Sequence, residues 1–183
     1  MAAPICLAAS PEPTPAPTPK PAEITWLEWS DESFARAIRE HKPIFLNVEA
    51  HWSRTSLYVH EKILTDPEVV AFVNENLTPI RVDRDRRPDI DSRYQAAVDA
   101  ANSGHSGWPL IVVLYENGEV LFGGSYIKLE DRRDEPGLRS LLKRSLAFLK
   151  SPRSPEAITR LHIQAVFEDE KTPYRPAEIN KSF

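Results

Sequence analysis

Residues 43–56 read PIFLNVEAHWSRTS, and the expected architecture of the whole chain depends on them. The stretch begins with a nearly continuous apolar run, Pro43 to Val48, which is typical of a strand buried on both faces of a sheet. After Trp52 and Ser53 the apolar residues change to helical spacing. The stretch therefore predicts a buried strand that leads through a short loop into a helix.

Similar signals mark the elements on both sides of this stretch. Upstream, Ser30 is predicted to cap a helix that ends at residues 41–43. Downstream, Asp66 is predicted to cap a helix that has Pro67 in its first position. The remaining predicted elements are a strand at 77–82, a helix at 89–101, a strand at 109–115, a turn at 116–119, a returning strand at 120–122 and an amphipathic helix at 138–149.

The order of these elements indicates the fold class. Strands separated by helical crossovers pair in parallel, and the closing hairpin adds an antiparallel edge. Residues 23–150 are therefore predicted to form an α/β domain with the thioredoxin-like fold, a central mixed sheet of about four strands flanked by helices on both faces. Residues 151–183 are predicted to be a C-terminal extension with a peripheral helix at about 155–167.

Composition narrows the possible partners. The chain has 183 residues, 41% of them hydrophobic, which suits a single globular domain. Its net charge of −4 gives no basic surface of the kind that binds nucleic acid. No apolar run approaches the roughly 18–20 residues that span a bilayer. We therefore expect no nucleic-acid partner and no transmembrane segment, and nothing in the sequence indicates a cofactor.

Residues 1–22 are predicted to be a disordered, Pro-rich leader or tether. Seven prolines and the single cysteine, Cys6, fall within the first 21 residues, and residues 11–21 (PEPTPAPTPKP) favour an extended polyproline-type conformation. Processed bacterial lipoproteins begin in a similar way, so Cys6 is a candidate lipidation site; the alternative is an inert cysteine. The compartment stays open between an extracytoplasmic one (periplasmic or membrane-tethered) and the cytoplasm.

Five short motifs follow one another in a family-specific order. They are WLEWS (26–30), KPIFL (42–46), VDRDRRPDID (82–91), GWPL (107–110) and GGSY (123–126). Together they resemble the thioredoxin-like domain of the spermatogenesis-associated protein 20 family, over roughly residues 24–130. Full-length members usually continue into a large helical domain, to which this resemblance does not extend.

The chain departs from that family at the redox motif. Members show Cys-His-Trp-Cys after the first buried strand, and the matching positions here are Ser53, Arg54, Thr55 and Ser56. Thioredoxins also carry a buried acid six residues before the first cysteine, where this chain has Asn47. A serine hydroxyl ionises too weakly to replace a thiolate and forms no disulfide. These five positions are therefore predicted to be vestigial and the domain redox-inactive.

A peptide-binding surface is the main functional hypothesis. By the resemblance, Pro109 takes the place of the cis-proline that faces the redox motif in thioredoxins. A cis X–Pro bond presents the backbone of the preceding residue to an extended peptide. Trp52, Gly107, Trp108 and Pro109 are therefore the candidate residues for binding an unknown protein or peptide. The alternative is a scaffold in which they only shape the loop.

Two further patterns leave other functions open. Ser53 and Ser56 could meet His51, His60 or His105 in a Ser–His or metal site, although no nucleophile-elbow motif or tight ligand spacing supports one. The run from Arg81 to Asp91 holds four Arg and four Asp. It predicts either a recognition surface or a local network of ion pairs that fixes the loop before a helix starting near Asp89.

Overall fold

The buried run at residues 43–48 forms the central strand of a mixed sheet. A computed structural model describes residues 23–102, 106–133 and 135–151. Cys6, the Pro-rich leader, His105 and the helix predicted at 155–167 lie outside the described residues. The elements are β1 (Leu27–Glu28), α1 (Asp31–Glu40), β2 (Ile44–Glu49), α2 (Arg54–Tyr58) with a π-helical turn (Val59–Ile63), α3 (Pro67–Asn76), β3 (Thr78–Asp83), α4 (Pro88–Asn102), β4 (Leu110–Leu114), β5 (Val120–Ser125) and α5 (Leu138–Lys150).

The sheet has the strand order β1-β3-β2-β4-β5. The first three of these strands are parallel to one another, whereas β4 runs antiparallel to β2 and β5 antiparallel to β4. Helices α1 and α4 cover one face, and α3 and α5 cover the other. The predicted thioredoxin-like fold is confirmed, with β1 as a fifth strand.

Strand β1 is two residues long because of the proline beside it. Leu27 pairs with Ile80 in parallel register, and the residue before Ile80 in β3 is Pro79. The N–H of Thr78 donates to the Pro43 carbonyl, so the nitrogen of the next residue faces β1. Proline has no N–H to offer there, and the ladder starts one residue later. So short a strand leaves no periodic signal in the sequence.

The predicted helix starts are confirmed by their caps. The Ser30 side chain accepts from the Ser33 N–H at 3.2 Å, and the Asp66 side chain accepts from the Val69 N–H at 3.1 Å. Asp66 also binds Arg139 of α5, with Oδ2–Nη2 and Oδ1–Nε distances of 2.6 and 3.2 Å. One carboxylate therefore both starts α3 and joins it to α5.

The helix after the redox-motif positions differs from its predicted pattern. The sequence predicts one apolar face from Leu57 to Leu64 at regular helical spacing. Val59 and Ile63 are buried, but Leu57 is 54% exposed. The π-helical turn explains the difference, because it adds a residue to the turn and rotates Leu57 away from the core.

A glycine brings α4 close to the sheet. Gly123 of β5 faces α4, and a Cβ at this position would overlap Cγ2 of Val98. At the next residue, Gly124, a Cβ would meet Ile127 at an ordinary 3.5 Å. Gly123 therefore sets how closely α4 packs on this face. Among the described residues, no helix is both long and apolar enough to cross a membrane.

Candidate functional site

The redox-motif positions and the proline loop meet at one edge of the sheet. β2 ends where β4 begins, because Val48 pairs with Leu110 in antiparallel register. The loop after β2 closes with a hydrogen bond from the Ser53 N–H to the Ala50 carbonyl. Ser53 and Pro109 are thus brought to the same end of the molecule, as the resemblance implies.

Both serines at the sulfur positions have structural roles. Ser53 is the N-cap of α2, and its Oγ accepts from the Ser56 N–H at 3.3 Å. The Ser56 side chain is buried, and its Oγ accepts from the Ala50 N–H at 3.3 Å. Arg54 is exposed and Thr55 is half-buried in the first turn between them. The two hydroxyls hold the loop and the helix start in place.

The proline loop is fastened to the end of β5. The Trp108–Pro109 peptide bond is cis. Ser125 Oγ lies 2.5 Å from the Gly107 nitrogen and 2.9 Å from its carbonyl oxygen, and the Tyr126 N–H donates to the Pro109 carbonyl at 3.3 Å. Among the described residues, neither the N–H nor the C=O of Trp108 has a hydrogen-bond partner. One backbone donor and one acceptor therefore remain open in this loop.

Two tryptophans pack against each other across the site. Trp52 and Trp108 meet edge to face, with ring centroids 5.4 Å apart. The Arg84 guanidinium carbon lies 4.6 Å from the Trp108 ring centroid and 5.9 Å from that of Trp52, within cation–π distance of both. The Trp52 indole N–H donates to Asp85 at 3.0 Å, yet its side chain stays 61% exposed.

Asp91 anchors Trp108 from below. This carboxylate is only 3% exposed and accepts from the Trp108 indole N–H at 2.9 Å and from Gln95 at 3.2 Å. Its other oxygen lies 3.2 Å from Arg84 Nε. The Gln95 amide is also 3.4 Å from the Gly107 carbonyl. The helix α4 thus supports the proline loop through two side chains.

The charge-rich run from Arg81 to Asp91 therefore belongs to this site. It contains the ion pairs that the network interpretation expects, Arg84–Asp91 and Arg87–Asp89. Its members also hold both tryptophans, which sequence analysis missed. The contact between Asp91 and Trp108 could not be predicted from their spacing, because that spacing matches no helical or strand period. In the sequence, the two segments were related only by the order of the family motifs.

A tyrosine pair adjoins the proline loop, because the Tyr126 N–H donates to the Pro109 carbonyl. The rings of Tyr58 and Tyr126 have centroids 6.3 Å apart, and both side chains are exposed. Tyr126 has a φ of 48°, which is uncommon for a bulky residue and is held by its bond to Pro109. Trp52, Tyr58, Trp108 and Tyr126 are called the aromatic strip below.

A buried acid lines the same cavity as Ser56, two residues after the position where thioredoxins carry one. Glu49 is 6% exposed and accepts from Asn47 Nδ2 at 3.3 Å. Arg81 Nε lies 3.6 Å from Glu49, and His60 Nδ1 lies 3.8 Å from it. The residue two positions after Asn47 on the same face of β2 thus carries the carboxylate. Sequence analysis missed it because residue 49 lay outside the predicted strand.

The histidines make no catalytic pair with the serines among the described residues. A cavity of about 250 Å³ is lined by Ser56, Glu49, His51 and His60 together with their neighbours. However, no hydrogen bond joins either serine to a histidine, and His51 lies 3.4 Å from Asp83. The described residues also hold no group of three or more His, Cys, Asp or Glu side chains arranged to bind a metal ion.

Comparisons with known proteins identify relatives that share this domain. The family model "Thioredox_DsbH: Protein of unknown function, DUF255" matches residues 18–164. Spermatogenesis-associated protein 20 from Homo sapiens and from Rattus norvegicus are each 36% identical to the chain over 124 residues, which is 66% of this chain and 15% of theirs. An uncharacterized protein of Caenorhabditis elegans is 39% identical over 123 residues, 65% of this chain and 16% of that protein.

The solved structure of a "DsbH Oxidoreductase" shares the fold. It aligns with a TM-score of 0.53 at 19% identity, covering 75% of this chain and 95% of its own. The matched region spans about 15% of the length of spermatogenesis-associated protein 20. The likeness therefore concerns this domain and not the whole of those relatives.

Proposed function

This chain belongs to the Thioredox_DsbH (DUF255) family, and we propose that it is a redox-inactive member that binds an extended segment of a partner protein on the aromatic strip. It carries the family's thioredoxin-like domain without the two cysteines of the redox motif. The oxidoreductase activity for which the DsbH protein is named is not carried over to this chain.

The chemistry at the sulfur positions supports the absence of redox activity. Dithiol–disulfide exchange needs an attacking thiolate and a second thiol to resolve the mixed disulfide. Ser53 and Ser56 supply neither, and the chain has one cysteine, Cys6, outside this domain. The Ser53 hydroxyl caps α2, and the Ser56 hydroxyl accepts from the Ala50 N–H of the preceding loop, so both hydroxyls serve as structural hydrogen-bond acceptors.

The observation that carries the binding role is the position of the exposed apolar side chains. Five large hydrophobic residues are exposed among the described residues, and four of them belong to the redox-motif loop, its helix or the end of β5. Only Ile38, on α1, lies elsewhere. Clustered exposed apolar side chains mark interaction surfaces, and aromatic residues provide the largest area per side chain. The four are Trp52, Leu57, Tyr58 and Tyr126.

The open backbone groups of Trp108 suit an extended peptide. In a peptide in β conformation, every second residue directs both its N–H and its C=O toward the same edge of the strand. The free N–H and C=O of Trp108 can pair with such an edge, while the aromatic strip contacts the side chains. Main-chain bonds then supply affinity, and the neighbouring side chains supply specificity.

A peptide selection with the full chain tests this proposal. A phage library of random peptides is panned against the protein, and the dissociation constants of selected peptides are measured by fluorescence anisotropy. Trp52→Ala is expected to weaken binding about tenfold or more, the cost of losing an exposed aromatic anchor. Ile38→Ala is the matched control, because it also shortens an exposed apolar side chain.

The proposal would be overturned by either of two results. One is that no peptide is enriched over an unrelated protein of similar charge. The other is that the selected peptides bind Trp52→Ala and Ile38→Ala equally well, which would place their site on another surface.

A further inference from the structure

A second cavity lies at the end of the parallel strands, beside the redox-motif loop. It has a volume of about 450 Å³, within the range of cavities that hold small molecules. The last residues of all three parallel strands line it: Glu28 of β1, Glu49 of β2 and Asp83 of β3. In open α/β sheets, ligands bind in the crevice at the carboxyl ends of the strands. This cavity is called the strand-end cavity below.

Two tryptophans give the strand-end cavity apolar walls. Trp26 and Trp29 both line it, and both are half-buried. Trp26 stacks on Phe45 with ring centroids 5.8 Å apart, whereas Trp29 packs edge to face on Phe34 at 4.7 Å. Because these contacts with the core fix both rings, the walls are in place without a ligand.

Most of the charged groups in the lining already have a partner of opposite sign. Each of these pairs holds a cation and an anion within 4 Å of each other, so they leave the cavity electrically balanced. The pairs are His51–Asp83 at 3.4 Å, Arg81–Glu49 at 3.6 Å and Arg87–Asp89 at 2.7 Å.

Glu28 and Arg86 are the two exceptions in the lining. Both residues are exposed, and among the described residues neither side chain has a hydrogen-bond or ion-pair partner. They line the same cavity but lie too far apart to pair with each other. The strand-end cavity therefore offers one available anion, one available cation and the space between them.

We propose that the strand-end cavity binds a small aminocarboxylate, a molecule with one ammonium and one carboxylate group, such as a free amino acid. Glu28 pairs with the ammonium. Arg86 pairs with the carboxylate, which a guanidinium can hold through two parallel hydrogen bonds. The apolar part of the ligand packs against a tryptophan wall. This site is separate from the aromatic strip and does not rest on the proposed function.

The balance of charge favours this class of ligand over others. A ligand with several negative charges, such as a nucleotide, would meet three carboxylates in the lining, and a ligand with several positive charges would meet three guanidinium groups. A charged group leaves water at a large cost unless a partner of opposite sign receives it. Glu28 and Arg86 supply one such partner for each end of an aminocarboxylate.

Binding is tested by titrating aminocarboxylates into the ¹⁵N-labelled full chain and following its backbone amide signals by NMR. The panel holds the free L-amino acids together with β-alanine and γ-aminobutyrate, which separate the two charges by different lengths. We expect at least one member to shift the amides of Leu27, Glu28 and Arg86 until saturation, while those around Ile38 on α1 stay unchanged. The N-acetyl and carboxamide derivatives of that member, which each lack one charge, should bind about tenfold more weakly, because each loses a charge-assisted hydrogen bond.

Two variants assign the charges of the ligand to their partners. Glu28→Gln should weaken the parent ligand about tenfold but should not weaken its N-acetyl derivative further, since that derivative has no ammonium. Arg86→Gln should weaken the parent ligand equally and should not weaken the carboxamide further. Glu32→Gln and Arg39→Gln, which remove the same charges from exposed positions on α1, are the matched controls and should bind like the unaltered chain.

Three results would overturn the inference. They are a panel in which no member shifts these amides, derivatives that bind as tightly as the parent ligand, and cavity variants that bind like their controls. Trp52→Ala, which tests the proposed function, should leave aminocarboxylate binding unchanged. If selected peptides bind while no aminocarboxylate does, only the present inference fails. If an aminocarboxylate binds while no peptide does, only the proposed function fails.

Discussion

At the scale of single residues, Asp91 is the buried carboxylate that joins three side chains of the candidate site. These side chains are Trp108, Gln95 and Arg84. Removing its charge leaves Arg84 without its best-placed partner under two aromatic rings. The exposed Asp89, which pairs with Arg87 two residues away, provides a comparison within the same run of sequence.

We expect Asp91→Asn to lower the free energy of unfolding by about 2 kcal/mol, the usual value of a buried hydrogen bond to a charged group. Asp89→Asn should cost less than about 1 kcal/mol, because its ion pair is largely exposed. Urea unfolding followed by tryptophan fluorescence measures both. Equal losses in the two variants would show that Asp91 does not hold the site together.

Ser53 and Ser56 allow a second test at this scale. The unaltered chain should not accelerate insulin reduction by dithiothreitol. Ser53→Cys/Ser56→Cys in a Cys6→Ser background should accelerate it, because the first cysteine would sit at the start of α2, where a thiol pKa is lowered. The Cys6→Ser chain alone is the control. Activity of the unaltered chain or of the control would contradict the proposed loss of redox function.

At the scale of elements, the contact between α3 and α5 depends on Asp66. The Arg139 guanidinium beside Asp66 holds the pKa of that carboxyl below its usual range, and the backbone bond from Val69 acts in the same direction. A group with a lowered pKa in the folded state stabilises the fold above its pKa in the unfolded chain. That stabilisation disappears as the pH falls through the folded-state pKa.

The stability of the chain should therefore fall as the pH drops below about 4, the ordinary pKa of an aspartate. Asp66→Asn should cost about 1–2 kcal/mol near pH 7 and progressively less as the pH falls through the lowered pKa of the folded state, where the Asp66 carboxyl takes up its proton. The urea midpoint measured at intervals from pH 7 to pH 3 checks this. Glu40→Gln, which removes an exposed ion pair with Arg36, should change the midpoint little at any pH. A cost of Asp66→Asn that does not depend on pH would contradict this account.

The elements also show how far sequence reasoning reaches. Caps such as Ser30 and Asp66 and long apolar runs such as β2 and β4 act locally, and the sequence predicted them close to their observed bounds. The predicted return strand ended at Phe122, although β5 runs to Ser125, because its two glycines carry no apolar signal. The exposure of Leu57 depends on a π-helical turn, which has no recognisable pattern in one sequence.

At the scale of the whole molecule, the candidate site could be predicted only in part. The resemblance to the family predicted the redox-motif positions and Pro109, because these residues can be recognised from the order of the motifs along the chain. Glu49 at the end of β2 and the charge-rich run that holds Arg84 and Asp91 come from separate segments, and they reach the site through tertiary packing alone. Tyr58 and Tyr126 are 68 positions apart in the printed sequence and meet only because the end of β5 lies beside α2.

The close packing at Gly123 allows a buried position to influence the aromatic strip. A methyl group there would push α4 away from the sheet at Val98, and Asp91 and Gln95, which hold the proline loop, lie within two turns on the same helix. We expect Gly123→Ala to cost about 1–3 kcal/mol of unfolding free energy, as overpacking does, and to weaken the peptides selected through Trp52. Gly124→Ala, which meets only ordinary contacts, should change neither quantity, and equal peptide affinities in the two variants would contradict the connection. A substitution at this buried glycine would then alter the proposed binding of a peptide by this chain without changing any residue that the peptide contacts.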